Sequence, residues 1–110
     1  MTRKSTDLLQ GTLDLLILKT LELEPRHGVA VADRIAQITK GTFDIKPGSL
    51  FPALHRLERD GYIAGAWSLT PEGRRAKVYT LSGDGRRKLG VEKRNWARIS
   101  LAMGQVLESE

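Results

Sequence analysis

The stretch from Asp7 to Leu23 constrains the chain more than any other. Leu9, Leu13, Leu16 and Ile17 recur at helical spacing, and Leu8, Leu15, Leu18 and Leu21 widen the stripe until little of the helix is polar. A helix that apolar has to be covered on more than one side. Glu24-Pro25-Arg26-His27-Gly28 ends it, since proline cannot continue a helix and pushes its predecessor to extended geometry. A second helix is predicted at about 29–39, with Val31, Ile35 and Ile38 inward and Asp33, Arg34 and Gln37 outward. Lys40-Gly41 closes it.

Phe43-Asp44-Ile45 reads as a short extended piece, and Lys46-Pro47-Gly48-Ser49 opens a third helix with Ser49 as N-cap and Asp60-Gly61 as stop. Leu50, Ala53, Leu54 and Leu57 form its apolar face, while Pro52, His55, Arg56 and Arg59 lie opposite. Strands are expected over 62–68 and 75–81, joined by a turn at Leu69-Thr70-Pro71-Glu72-Gly73. Ser82 caps a long last helix, about 83–108, with Leu89, Trp96, Ile99, Met103, Val106 and Leu107 on its apolar side. The fold class is mainly α with a β-hairpin. Its order is that of a winged helix-turn-helix over 1–82, followed by a long C-terminal dimerisation helix over 83–110.

At 110 residues the chain is long enough for one domain with a real core. It has no cysteine, which removes disulfides, thiolate zinc sites and thiol catalysis. No apolar run approaches the length of a membrane span, and Asp7, Gln10 and Asp14 interrupt any signal-peptide core, so a cytoplasmic setting is expected.

The net charge of +5 is uneven. Residues 1–45 carry six basic and six acidic side chains, whereas 46–98 carry twelve basic against five acidic, a surplus of seven. Such a surplus is either a solvated face or the footprint of a polyanion. Its placement favours nucleic acid. Ser49, Pro52, His55, Arg56 and Arg59 suit a recognition helix, Arg56 as a base reader whose loss weakens specific binding, against the plainer reading of an amphipathic helix with a wet face. Arg74, Arg75 and Lys77 follow the hairpin turn and suit backbone or minor-groove contact, Lys77 serving all sequences alike. The plainer reading is an edge strand protected by charge. Catalysis lacks support: His27 and His55 lie in different elements, no phosphate-cradling loop occurs, and no metal-ligand spacing is present. No cofactor is expected, and the protein is read as a non-enzyme.

Four segments in order then carry a family resemblance. Leu9-Gln10-Gly11-Thr12-Leu13-Asp14 through Leu21, the turn His27-Gly28, the stretch Gly48-Ser49-Leu50-Phe51-Pro52-Ala53-Leu54-His55-Arg56-Leu57-Glu58, and Arg74-Arg75-Ala76-Lys77-Val78-Tyr79-Thr80-Leu81 resemble the matching motifs of PadR-family transcriptional regulators. Phe51 departs from the family's usual tyrosine and lacks its hydroxyl, and Val29 departs from the tyrosine of the turn. The resemblance implies a homodimeric repressor of the compact branch, built on its C-terminal helix. It also implies a small planar aromatic effector held between that helix and the core. Leu89, Trp96, Ile99 and Met103 are the candidates for dimer interface or effector pocket, with Trp96 either a stacking surface or a dimer anchor. The expected partners are a second copy and a pseudo-palindromic DNA operator with half-sites about one helical turn apart. The alternative is a winged-helix module for protein–protein contact without DNA binding.

Overall fold

The structure, a computed structural model, describes residues 10–110. Its first helix, α1, spans Gln10–Leu23. The expected start at Asp7, with Leu8 and Leu9, lies outside the described residues. Leu13, Ile17, Leu18 and Leu21 are buried, and Leu15 and Leu16 pack at the edge of the same core. The helix is covered on more than one side, since α1 touches every later helix and the central strand, and only Leu23 among its leucines is exposed.

After Pro25 the chain pairs for two residues as β1 (Arg26–His27), then enters α2 (Gly28–Ile38). Val31 and Ile35 face inward as expected, but Ile38 is exposed because the last turn of α2 runs past the core. Phe43 and Ile45 pack against the core without joining a sheet.

The third helix, α3, spans Pro47–Arg59. It begins earlier than the sequence suggested. Proline at the first helical position is already set for the helix, and it holds Lys46 extended as the N-cap residue. Ser49 is therefore inside the first turn and not the cap. Leu50, Ala53, Leu54 and Leu57 are buried. Gly61 takes the left-handed conformation (φ +81°) that ends the helix, and the Tyr62 amide donates to the Leu57 carbonyl at 2.9 Å.

Strands β2 (Ile63–Leu69) and β3 (Arg75–Leu81) form the expected hairpin, with Trp67 opposite Lys77 and Leu69 opposite Arg75. The Gly73 amide donates to the Thr70 carbonyl across the turn, with Pro71 at the position where its fixed φ is favoured. The unexpected strand β1 pairs with β3, giving a three-stranded antiparallel sheet in the order β1-β3-β2.

The last helix, α4, spans Gly83–Leu107. Ser82 caps it as expected: its hydroxyl accepts from the Gly85 amide at 2.9 Å and donates to the Gly61 carbonyl at 2.6 Å. Gly85 lies so close to the Tyr62 carbonyl and the Leu81 side chain that a Cβ there would overlap both. Gly85→Ala is accordingly expected to cost about 1–3 kcal/mol, the usual range for forcing atoms into a packed site. Denaturant unfolding of the variant beside wild type measures it, and an unchanged midpoint would refute this close approach.

Leu89 is the last residue of α4 in the core, at 1% exposed. Beyond it the helix leaves the body. At 25 residues α4 is roughly 37 Å long. The radius of gyration is 15.4 Å, against about 13 Å for a compact chain of this length. No described helix is long and apolar enough to cross a membrane.

Candidate nucleic-acid interface

The buried face of α3 decides where its other side chains go. Pro52, His55 and Arg59 stand directly opposite that face and are exposed, with Ser49 exposed beside them in the first turn. Arg59 reaches back only to its neighbour Asp60, at 3.2 Å on the surface. A pair of that kind is worth little in water and leaves the guanidinium available.

Arg56 lies on the flank of α3 that faces α1, and its guanidinium is bound to the Asp14 carboxylate. The two side chains keep 23% and 11% of their surface. Arg56 follows His55 by about 100° of helical rotation, which carries it from the exposed row toward α1 and into this pair. Burial pushes the Asp14 carboxyl above its ordinary range, and Arg56 works against that rise by charge and hydrogen bond. Glu92 and Lys88 of α4 also act on Asp14, in opposite directions.

Glu58 occupies the other flank. Its carboxylate accepts from the Lys77 ammonium at 3.0 Å, and that bond holds Lys77 above its ordinary range. Lys77 of the wing is thus paired with the recognition helix. Lys77 reaches Glu58 across Gly65 of β2, where no side chain stands in the way, whereas Arg74 and Arg75 lie nearer the tip. Two ion pairs, one on each flank, fix α3 between α1 and the hairpin.

Arg74 and Arg75 are exposed, and among the described residues neither has a carboxylate partner. Between the hairpin and α3 runs a cleft of about 880 Å³. His55 enters it from α3, and Trp67, Arg74 and Arg75 enter from the wing. Phe51 and Tyr79 form part of its floor. The structure therefore brings the His55 edge of α3 and the wing arginines to one concave surface. The Arg75 guanidinium lies 4.9 Å from the Trp67 ring centre and the Lys77 ammonium 5.8 Å. The sequence places Trp67 on a wing strand without giving it a role, and the hairpin register sets it beside these cations.

The C-terminal candidates separate into two groups. Leu89 is part of the core, where α4 is still packed on the body. Trp96, Ile99 and Met103 are 52%, 50% and 58% exposed, on the part of α4 that has left the core. Val106 and Leu107 continue the same face and are more exposed still. Among the described residues no group of three or more His, Asp or Glu gathers as a metal site.

Comparison with known proteins places this geometry. The profile of the "Transcriptional regulator PadR-like family" matches residues 17–91. The chain is 27% identical over 94 residues to "Uncharacterized protein X" of Lysinibacillus sphaericus, covering 86% of each. Among solved structures it resembles a PadR family transcription regulator from hypervirulent Clostridium difficile R20291 at 30% identity. The TM-score is 0.73, with 86% of this chain and 97% of that chain covered. It shares the fold of smu.1704 from Streptococcus mutans UA159, with a TM-score of 0.83 at 24% identity over 96% and 95% of the two chains.

Proposed function

The chain belongs to the PadR-like family of transcriptional regulators, and on that premise we propose that it is a homodimeric, sequence-specific DNA-binding repressor. Ser49, Pro52, His55 and Arg59 of α3 enter the major groove, and Arg74 and Arg75 of the wing meet the neighbouring backbone or minor groove. Arg56 and Lys77 hold α3 in place and do not read DNA themselves. The observation that carries this reading is the shared surface of α3 and the wing. Cations that have no carboxylate partner among the described residues stand there beside a helix paired on both flanks, the arrangement a polyanion needs.

Dimerisation is supported by the distal half of α4. From Trp96 onward its apolar residues touch little else in the chain. A helical segment that short is marginal in water without packing. A second copy supplies that packing, and a two-fold axis through α4 presents two recognition helices to one face of the duplex. Repression follows if the occupied site overlaps a promoter, in the cytoplasm where the DNA is.

Selection of bound duplexes from a random pool tests the reading. Enrichment of an inverted repeat, its halves about one helical turn apart, is the expected result. Recovery of an unenriched pool would sink sequence-specific recognition. Trp96 acts in this reading as a dimer anchor. Release by a planar aromatic effector at the same indole is the alternative role. A Trp67→Phe background isolates the Trp96 fluorescence, and quenching by any member of a panel of planar aromatics would favour the effector.

A further inference from the structure

Trp67 is 60% exposed on β2, an unusual position for the largest apolar side chain in a basic hairpin. It projects on the same side of the sheet as Lys77, its direct partner, and Arg75, its diagonal neighbour. Both cations lie over its indole, Arg75 at 4.9 Å and Lys77 at 5.8 Å from the ring centre. The ring's negative face attracts each of them. Lys77 is at the same time bound to Glu58 of α3 at 3.0 Å. The result is a continuous row: Glu58 on the recognition helix, Lys77, the indole, then Arg75 at the mouth of the cleft.

We propose that Trp67 is the positioning residue of the wing, holding the Arg75 guanidinium against its indole so that it is already oriented when DNA arrives. This rests on the DNA-binding reading above. A free arginine side chain loses much rotamer freedom when it engages a phosphate, and a planar guanidinium stacked on a ring has lost part of it beforehand. The indole touches Arg75 and not the nucleic acid, so its contribution passes through Arg75. The link from Lys77 to Glu58 keeps the ring, and with it Arg75, at a fixed distance from α3.

A double-mutant cycle on duplex binding tests the proposal. Trp67→Ala is expected to weaken binding about two- to fivefold, the worth of an exposed cation–π contact. Trp67→Phe, which keeps a π face, stays near wild type. Trp67→Leu keeps apolar bulk on the strand without a π face and falls with the alanine variant, which separates lost stacking from a damaged hairpin. In an Arg75→Ala background the same Trp67 changes have no further effect. Equal losses with and without Arg75, or full affinity in Trp67→Leu, would overturn the proposal. Absence of duplex binding by the wild-type protein would instead overturn the DNA-binding reading itself.

Discussion

Met103→Glu yields a folded monomer whose affinity for an inverted-repeat operator falls by about two to four orders of magnitude. The loss follows from where Met103 stands. It lies on the apolar face of α4 with Trp96 and Ile99, beyond the point where the helix leaves the core, and is 58% exposed in the single chain. A substitution there removes no intrachain packing of consequence, so the winged helix survives. In a two-fold dimer the same patch meets itself, and two glutamates then enter one apolar interface without partners. Burying an unpaired carboxylate costs several kcal/mol per ion, enough to separate a dimer held by one helix pair. Without the dimer each recognition helix binds its half-site alone and the gain from linked binding is lost. Sedimentation velocity gives the mass and DNA titration the affinity. A Met103→Glu protein that remains dimeric would place the interface elsewhere.

Arg56→Ala has its largest effect on stability and not on base recognition. Removing one partner of a buried ion pair costs roughly 3–5 kcal/mol, and the partial exposure of Arg56 puts the expectation near the lower figure. The loss depends on pH in a defined direction. The Asp14 carboxyl already lies above its unfolded value of 3.8 in the wild-type fold, and without Arg56 the charge and the hydrogen bond that mainly hold it down disappear, leaving only Lys88. An acid whose folded pKa is raised stabilises the fold most below its unfolded pKa. That contribution is lost as pH rises through the folded value. The deficit of Arg56→Ala is therefore greatest at neutral pH and shrinks on acidification toward the carboxylate range. Denaturant unfolding at both ends of that range measures it. Adding Asp14→Asn recovers much of the stability by removing the stranded charge. If the double variant is stable yet has lost its sequence preference, Arg56 reads a base after all.

What was legible in the sequence was what local rules control. The leucine-rich first helix announced that it would be covered on more than one side, and it is. Pro71 and Gly73 announced the hairpin turn, and Ser82 announced the start of α4. What was hidden depended on distant partners. β1 is two residues long and exists because Tyr79 and Val78 lie beside it, a fact no local pattern carries. Arg56 shares a helix with Pro52, His55 and Arg59, but its partner lies 42 positions away on α1. Lys77 is likewise equivalent to Arg74 and Arg75 in local sequence, and only its bond to Glu58 sets it apart. Leu89 shares the stripe of Trp96 and Met103, and only the point at which α4 leaves the core separates their roles. For the candidate interface, the sequence marked α3 and the hairpin, and the structure pairs Arg56 and Lys77 with carboxylates while Arg74 and Arg75 have none among the described residues.

Titration of duplex DNA over a range of salt concentrations tests most directly whether those remaining cations meet phosphate. Arg59, Arg74 and Arg75 from each of two protomers predict that the logarithm of the association constant falls linearly with the logarithm of salt, with a slope of about −5. Single alanine variants of Arg74 or Arg75 lower its magnitude by about two, one contact per protomer. Absence of duplex binding even at low ionic strength, or binding insensitive to salt, would contradict the assignment of this surface to DNA.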